Sequence, residues 1–416
     1  MGIEMNHDEI SFADPAIQKC PFAAYRTVRS QGNVYRDPRS GMFVVLGHEL
    51  VRKVANDATT FSNETGLLLV KDSKIKSTLD EIWRTEGVMP VATMVVSDAP
   101  AHTFHRSLVD KAFTPVRVRE MEAYLESIVD GMIDEFIDRG QVEFLSGMAI
   151  RVPLYVIADQ LGVPREHWPQ FHLWASTVIA QGQHNHDEAE QIRITRTLCE
   201  LQNYIVARAA EYEAQPRSCI LSDLVHARAD DGRRLTREEL VAIVIQLLTA
   251  GYETTAATMT AGLLRIIQTP GLEDLLRKEP ARLTNFIEEV LRADAPIQGL
   301  FRRATCDTEI GGVPVPAGSL IQLMWGAANR DPAQFEDPDE FQVDRVNARR
   351  HVTFGFGPHV CVGNQLARGE LRIAFTRLLQ RMKNFRLARP HEPIEYISHS
   401  FAYGVRALDV AFDRNT

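Results

Sequence analysis

The order of hydrophobic and polar positions along the chain predicts a mainly helical protein with a smaller β part. Alternating apolar residues in Met42–Leu46 predict an early strand. Pro314–Gly318 separates two later extended runs, as the turn of a hairpin would. Between these ends, residues 99–293 are dominated by helical periodicity, with Met121 and Leu125 one turn apart on an apolar face. We therefore expect a helical body with few strands, which are split between the two ends of the chain.

The clearest predicted element is a helix that begins at Thr236 and ends before Pro270. Thr236 followed three residues later by Glu239 is a capping-box pattern, and at about 1.5 Å per residue the helix would span roughly 48 Å, enough to cross a core. Its middle, Thr249–Thr255, places a glycine, an acid and hydroxyls inside an apolar stretch. A mid-helix glycine costs up to about 1 kcal/mol and a buried carboxylate needs compensation. Such exceptions to local preference indicate a functional site.

Composition indicates the class of protein and the number of domains. The 416 residues are 45% hydrophobic and 24% charged, which is typical of a globular protein with a large core. Because we find no repeat, low-complexity tract or linker, we expect one domain over residues 1–416, with a flexible N-terminus of about 15 residues.

The net charge and the cysteines indicate which partners and which cellular compartment are expected. The net charge of −9 argues against binding to nucleic acid. The acidic start of the chain and the lack of any apolar run of about 18 residues predict no signal peptide and no membrane anchor. Five scattered cysteines suit a reducing compartment, so we expect a cytoplasmic protein.

The most specific chemical signal is Phe354–Gly363, a glycine-punctuated loop that leads to Cys361 and then to a predicted helix from Gln365. A dinucleotide fingerprint would need glycine where Val360 stands, and a zinc site would need more ligands nearby than His359. A haem loop uses every feature, because glycines let backbone approach a flat macrocycle while amides and a helix N-terminus stabilise an anionic sulfur. A structural cysteine buried in a tight turn is the remaining alternative.

This loop resembles the cytochrome P450 pattern Phe-Gly-x-Gly-x-His-x-Cys-x-Gly at every fixed position. The resemblance covers nearly the whole chain and implies the fold of that family, which is mainly α with a smaller β part and has a long central helix over the haem. It implies haem b, iron protoporphyrin IX, as the cofactor and Cys361 as the metal ligand to its iron. The implied cofactor contacts in the loop are Phe354, Gly355, His359, Cys361 and Gly363.

A second motif, at Glu289 and Arg292, occurs where the resemblance requires it. Taken alone, an acid and a base three residues apart on a helix indicate a surface ion pair worth a few tenths of a kcal/mol. In cytochromes P450 the pair joins a downstream arginine, for which Arg345 is the match, and the triad braces the haem loop. The resemblance therefore implies a structural role for these three residues and no direct chemistry.

The long helix carries a third motif, Ala250–Thr254, which resembles the oxygen-activation segment of the family. A glycine opposite a hydroxyl can loosen the backbone and leave a notch beside the iron, so Ala250 and Gly251 are expected cofactor contacts. The resemblance makes Glu253 and Thr254 catalytic: Thr254 would hold the bound oxygen and a water, and Glu253 would relay protons. The structural alternative is a helix end or a hydroxyl bonded back to the preceding turn.

The resemblance implies that four residues of this chain hold the two haem propionates. His102 and Arg106, four residues apart, match a propionate-binding pair at a helix start, although Phe104 stands where a second arginine is usual. Arg302 and His359 complete the set, since the fork of an arginine can hold a carboxylate through two hydrogen bonds. Each residue alone would be an ordinary surface position, so the expectation depends on their joint placement.

The resemblance implies a haem-thiolate monooxygenase that inserts one atom of O2 into a C–H bond of a small apolar substrate, which could be a terpenoid, fatty acid, steroid or aromatic compound. The soluble bacterial type takes electrons from a ferredoxin and its reductase. Alternatives are a peroxygenase or nitric oxide reductase of the same fold, or a non-catalytic haem sensor; the intact Glu253–Thr254 pair weighs against the peroxygenase.

Two sets of residues are expected to contact the substrate and the ferredoxin. Apolar positions that would contact the substrate, although such residues also simply cover a core, are Leu67, Leu69, Leu247, Ala250, Ile297 and Phe401. Basic residues that could gather on the Cys361 side for docking of the ferredoxin are Arg106, Lys111, Arg349, Arg350, Arg368 and Arg372.

Overall fold

Helices predominate in the computed structural model, which describes residues 7–65, 75–181 and 186–415. The predicted mainly α fold is therefore confirmed. The described residues form sixteen α-helices: α1 Pro15–Lys19, α2 Phe22–Arg29, α3 His48–Asn56, α4 Lys76–Glu86, α5 Ala101–Val109, α6 Pro115–Glu120, α7 Glu122–Asp134, α8 Arg151–Gln160, α9 Trp168–Gln181, α10 Glu188–Ala214, α11 Ile220–His226, α12 Arg237–Gln268, α13 Leu272–Lys278, α14 Leu283–Ala293, α15 Trp325–Ala328 and α16 Asn364–Arg381.

The smaller β part consists of three sheets. In the described residues the strands are β1 Val34–Arg36, β2 Phe43–Val45, β3 Phe61–Ser62, β4 Gln141–Glu143, β5 Leu300–Ala304, β6 Thr308–Ile310, β7 Val313–Val315, β8 Leu320–Leu323, β9 Met382–Leu387 and β10 Asp409–Arg414. Their orders are β1-β2-β8-β5-β3, β4-β10-β9 and β6-β7. The early strand is present as β2, which pairs parallel with β8 so that Phe43 lies opposite Ile321. The other pairings are antiparallel.

The position predicted for the later hairpin was wrong. β6 and β7 form the hairpin, and its turn is made by Gly311 and Gly312, both of which have positive φ. Two adjacent glycines tolerate this left-handed backbone, whereas proline fixes φ at negative values. Pro314–Gly318 instead includes the end of β7 and leads to β8, which lies between β2 and β5 in the five-stranded sheet.

The chain divides into two compact units. The first comprises Met1–Asn63, Val118–Val152 and Thr254–Thr416, and the second comprises Glu64–Arg117 and Pro153–Glu253. The boundary between them falls inside α12. The expectation of a single domain stays a prediction.

The first unit has its core on the five-stranded sheet. Buried residues of β2 and β8 pack together with Trp325, and Phe356 packs against the edge of this cluster. Near the start of the described chain, Ile10 and Phe12 are buried, and the Phe12 amide donates to Asp37 at 2.7 Å. Ile10 and Phe12 are therefore packed into the first unit, and the expectation of a flexible N-terminus stays a prediction.

The second unit is built from helices. Leu79 and Trp83 of α4 pack against Leu198 and Cys199 of α10 in a buried cluster. The first half of α12 belongs to this unit, and its Gln246 side chain donates to the Thr93 hydroxyl at 2.8 Å.

Helix α12 begins and ends as the sequence predicts. The Thr236 amide donates to the Glu239 carboxylate at 2.9 Å, and the Glu239 amide donates to the Thr236 hydroxyl at 3.1 Å, which is the reciprocal capping box. Among the described helices, α12 alone is long and apolar enough to cross a membrane by length and composition. A core helix of a soluble protein meets the same two criteria, so this is weak evidence for a membrane span.

Candidate functional site

The cysteine loop, residues Phe354–Gly363, is a closed turn whose backbone is fixed on both sides of Cys361. The Cys361 amide donates to the Phe354 carbonyl at 2.8 Å. On the other side, the Asn364 side-chain amide donates to the Cys361 carbonyl at 2.7 Å. Cys361 itself is partly exposed. The loop therefore presents one thiol on a backbone that is held at both peptide groups.

Two glycines shape this loop. Gly355 and Gly357 both have φ of +73°, a conformation that favours glycine. A Cβ added to Gly357 would also lie 2.8 Å from the Ala55 carbonyl oxygen of α3. The loop therefore approaches α3 too closely for any other residue at Gly357.

The donor chemistry at Cys361 fits a haem better than a bare metal ion. Within the described ranges, no group of three His, Cys, Asp or Glu residues could hold a metal ion. A haem brings four ring nitrogens of its own, so its iron needs only a thiolate from the protein. Cys361 also lies just before α16, whose N-cap is Gly363, and a helix N-terminus stabilises a thiolate. These properties weigh against the zinc and structural-cysteine alternatives.

Glu289, Arg292 and Arg345 form a buried ion-pair triad between α14 and the segment before the cysteine loop. Arg292 donates both Nε and Nη2 to the two Glu289 oxygens at 2.7 Å each. Arg345 Nε reaches Glu289 Oε1 at 3.1 Å. All three residues are buried, so the structure does not support the reading of Glu289 and Arg292 as a surface pair.

A second buried carboxylate, Glu288, was missed by sequence reasoning. Its oxygens accept from Arg368 Nε at 2.7 Å, from Arg368 Nη2 at 3.1 Å and from His351 Nε2 at 3.1 Å. Burial acts to raise the pKa of Glu288, but the hydrogen bonds from His351 and Arg368 outweigh it and hold the pKa at about 2. The available signal was a second acid directly before Glu289 in α14, although its partners lie more than 60 residues away.

The centre of α12 differs from its surroundings in exposure. Ala250 is exposed and Glu253 and Thr254 are partly exposed, whereas Leu248 and Tyr252 are buried. The helix is unbroken through Gly251, so the expected loosening of the backbone is not seen as a break. Burial raises the pKa of Glu253 to about 7. This segment therefore carries an acid that can gain or lose a proton near neutral pH, directly before a threonine.

A further acid, Glu370 of α16, was also missed. It is fully buried, and its carboxyl forms a hydrogen bond with the Thr255 hydroxyl. Burial raises its pKa to about 8, although the Thr255 bond acts to lower it. The sequence signal was available, because Glu370 lies four residues from both Leu366 and Ala374 on the apolar stripe of α16.

The four residues expected at the propionates lie in different units. In the second unit, His102 is buried, its pKa is lowered by burial and by the neighbouring Arg106, and Arg106 forms an ion pair with Asp110 at 2.7 Å. In the first unit, Arg302 is buried on β5 and His359 is partly buried in the cysteine loop.

The residues expected at the substrate have mixed surroundings. Leu67 and Leu69 lie outside the described residues. Leu247 is buried, Ile297 forms a β-bridge with Ala402, and the Phe401 ring packs edge-on against His399 at 4.3 Å between centroids. These observations give the positions of the side chains and leave their contact with substrate a prediction.

Three of the expected docking arginines already form short ion pairs within the protein: Arg106 with Asp110 as given above, Arg368 and Arg372. Arg368 pairs with Glu288 as described above, and Arg372 Nη2 lies 2.6 Å from Glu122 Oε1. The Arg349 side chain remains 70% exposed, although its Nε lies 3.5 Å from Glu288. Much of the positive charge expected from Arg368 and Arg372 is therefore neutralised within the protein.

Comparison with known proteins agrees with this chemistry. A model of the cytochrome P450 family matches residues 184–405. The chain is 33% identical to a steroid C26-monooxygenase of Mycobacterium tuberculosis over 391 residues, which are 94% of this chain and 93% of the relative. It is 37% identical to nocardicin C N-oxygenase of Nocardia uniformis subsp. tsuyamanensis over 316 residues, 75% of this chain and 77% of that protein.

A solved structure agrees as well. Cytochrome P450 CYP109Q5 from Chondromyces apiculatus matches with a TM-score of 0.87 and 27% identity, covering 99% of this chain and 100% of that one. Because the family model covers more than half of the chain and the mycobacterial relative aligns along almost all of it, the chain belongs to the cytochrome P450 family and is a haem monooxygenase of the bacterial kind.

Proposed function

We propose that this protein inserts one atom of O2 into a C–H bond of a small apolar molecule, while two electrons and two protons reduce the other atom to water. The observation that carries the proposal is the Glu253–Thr254 pair, in which the pKa of the acid is about 7. Such an acid both releases and takes up protons at neutral pH. Reductive use of O2 requires a proton supply, whereas a peroxygenase starts from hydrogen peroxide and dispenses with this pair.

Haem b is the cofactor in this proposal. When bound, a haem with a thiolate ligand supplies the reductive activation of O2. Cys361 would be the protein ligand to its iron, and Phe354, Gly355 and Gly363 would contact the macrocycle. The glycines would allow the close approach of the backbone that a flat group requires.

The propionates would be held by two arginines and two histidines. Arg106 and Arg302 would each contribute a planar fork that suits a carboxylate. His102 and His359 would add hydrogen bonds from their rings. Because the pKa of His102 is lowered by burial, we expect His102 to act as a neutral donor.

On α12, each side chain has a separate task. Ala250 and Gly251 would leave room beside the cofactor because they are small. The Thr254 hydroxyl would position a water molecule, and the Glu253 carboxyl would pass protons to it from solvent. The triad of Glu289, Arg292 and Arg345 would brace the cysteine loop from behind without touching the substrate.

The substrate class, electron donor and location are further parts of the proposal. One relative is named as a steroid C26-monooxygenase and another as nocardicin C N-oxygenase; for this chain we propose a terpenoid, fatty acid, steroid or aromatic compound. Leu247, Ala250, Ile297 and Phe401 would contact it, as would Leu67 and Leu69, which lie outside the described residues. Electrons would come from a ferredoxin and its reductase, in the cytoplasm.

The test compares Thr254→Ala with wild type and with Thr260→Ala, a control in the same helix whose buried hydroxyl bonds to the Ala256 carbonyl. Candidate substrates are first identified by the spin-state change that they cause in the haem spectrum. With a ferredoxin, its reductase and reduced nicotinamide, wild type and Thr260→Ala should couple electrons to product. Thr254→Ala should bind substrate equally well but release most electrons as hydrogen peroxide. Unchanged coupling in Thr254→Ala would contradict the proposal.

A further inference from the structure

The guanidinium of Arg368 lies on α16, seven residues after Cys361, and contacts three different parts of the site. It donates to Glu288 through Nε and Nη2 at 2.7 and 3.1 Å. Through Nη1 it donates to Asn364 Oδ1 at 3.1 Å. Its central carbon lies 4.5 Å from the centroid of the Phe354 ring, a cation–π distance.

Two of these contacts involve the residues that hold the backbone of Cys361. Phe354 supplies the carbonyl that accepts from the Cys361 amide at 2.8 Å. Asn364 supplies the side-chain amide that donates to the Cys361 carbonyl at 2.7 Å. A single guanidinium therefore touches both residues that fix the peptide groups on either side of the thiol.

The third contact anchors Arg368 itself. Glu288 is buried and also accepts from His351 Nε2 at 3.1 Å. The ring of His351 is held in turn, because its Nδ1 accepts from the Thr353 amide at 3.2 Å. A carboxylate fixed in this way can hold an arginine fork in one orientation, which the single ammonium of a lysine cannot reproduce.

We propose that Arg368 is a positioning residue for the Cys361 thiolate: anchored on Glu288, it fixes Phe354 and Asn364 and thereby the two backbone hydrogen bonds of Cys361. The inference rests on the proposed role of Cys361 as the iron ligand. Residues outside the ligand shell commonly tune a metal ligand in this way, and their loss lowers metal affinity or activity about tenfold to a hundredfold.

A matched pair of variants separates positioning from charge. Arg368→Lys keeps the positive charge but loses the fork and the stacking on Phe354. Arg372→Lys makes the same change one turn later on α16, at a residue that pairs with Glu122. Both arginines were candidates for ferredoxin docking, so the readouts avoid ferredoxin: the reduction potential of the haem, and the lifetime of the thiolate-type Soret band in the dithionite-reduced carbon monoxide complex.

The expected result is that Arg368→Lys loses the thiolate-type band about tenfold faster than wild type. Its potential should shift by the equivalent of about a tenfold change in the equilibrium constant, which is about 59 mV for one electron. Arg372→Lys should match wild type in both measurements. Equal behaviour of Arg368→Lys and wild type, or equal changes in both lysine variants, would overturn the proposal.

Two further variants keep the test decisive. If Arg368→Lys does not accumulate as folded protein, Glu288→Gln weakens the anchor of Arg368 without changing a residue that bonds to Cys361, and it should shorten the lifetime of the band by a smaller factor. An unchanged lifetime in Glu288→Gln would then overturn the proposal. Cys361→Ser tests the underlying assignment separately, since survival of the band in that variant would remove Cys361 as ligand whatever Arg368 does.

Discussion

Buried or partly buried carboxyl groups occur in two regions of this protein, and their surroundings act on the pKa in opposite directions. Behind the cysteine loop, Glu288 is surrounded by donors that hold its pKa at about 2, and Glu289 is bound by two arginines. At the centre of α12, burial raises the pKa of Glu253 to about 7, and that of Glu370, against Thr255, to about 8.

Glutamate therefore serves two purposes in this protein. An acid matched by arginines stays ionised over the whole physiological pH range, so it acts as a rigid support. An acid that burial leaves poorly compensated exchanges its proton near neutral pH, so it can take part in proton transfer. We infer that the cysteine loop depends on carboxylates that stay ionised, Glu288 and Glu289, which we call the fixed charges. The centre of α12 depends on an acid that exchanges its proton near neutral pH, Glu253, and we call its protons mobile.

The largest expected effect comes from breaking the fixed charges. Arg292→Met removes both hydrogen bonds to Glu289 and leaves that carboxylate buried with one arginine fewer. Removing one partner of a buried ion pair costs about 3–5 kcal/mol. Denaturant unfolding should show this loss. The control is Arg386→Met, which removes an exposed partner of Asp413 and should change stability by about 1 kcal/mol or less. Equal stability of the two variants would contradict a supporting role for the triad.

The next largest effect is expected on the rate of product formation, when Glu253 can no longer exchange its proton. Glu253→Gln keeps the size of the side chain but removes its titration, so product formation should fall about a hundredfold. Since the acid form of Glu253 is depleted above its pKa of about 7, the wild-type rate should decrease as pH rises through that value. The variant should lack this step, and its substrate-induced spectral change should be preserved. A retained pH step in Glu253→Gln would assign the proton to another group.

A third prediction contrasts the pH dependence of stability in the two regions. The pKa of Glu370 is raised from 4.5 to about 8, so its contribution is present below pH 4.5 and is lost as pH rises to about 8. That of Glu288 is lowered to about 2, so its contribution is present above pH 4.5 and is lost as pH falls.

The measurement for this contrast is denaturant unfolding across pH for two glutamine variants. Glu370→Gln should gain stability relative to wild type between pH 4.5 and 8, by up to several kcal/mol at about 1.4 kcal/mol per unit of pKa shift. Glu288→Gln should be less stable than wild type at neutral pH, with a deficit that shrinks in acid. The same sign of change in both variants would remove the distinction between the regions.

The smallest expected effect is a change in the rate of electron transfer when the exposed Arg349, which lies near Glu288, is substituted. Arg349 is 70% exposed, so Arg349→Glu should slow electron transfer from an acidic ferredoxin several-fold at low salt. The difference should vanish at about 1 M salt, where the screening length is about 3 Å. Arg386→Glu, at another exposed position, should have no effect. A rate in Arg349→Glu that is unchanged at low salt would mean that the ferredoxin docks elsewhere.

Sequence alone predicted the features that depend on neighbouring residues. The capping box at Thr236, the length of α12 and the glycine loop around Cys361 each follow from a pattern a few residues long. The hairpin was misplaced, although Gly311–Gly312 offered a stronger turn signal than the prolines did. A pair of adjacent glycines between apolar runs predicts a hairpin turn more strongly, because both residues tolerate positive φ.

What the sequence did not predict depends on tertiary contact. Glu288 and Arg368 are 80 residues apart, and no periodicity connects them. The position of Glu370 on the apolar stripe of α16 indicated burial, but its Thr255 partner and its raised pKa depend on what packs over the helix. In both cases the fate of a carboxyl group was decided by whether folding brings an arginine to it, and a single sequence contains no such distance.

The most direct test of the account is the optical spectrum of the dithionite-reduced protein with carbon monoxide, measured for wild type, Cys361→Ser and Cys306→Ser. Cys306 is an exposed cysteine outside the loop, so its variant controls for the loss of a thiol. We predict a red-shifted Soret band typical of thiolate ligation in wild type and Cys306→Ser, and its loss in folded Cys361→Ser. Persistence of that band in Cys361→Ser, or a wild-type band typical of histidine ligation, would contradict the account.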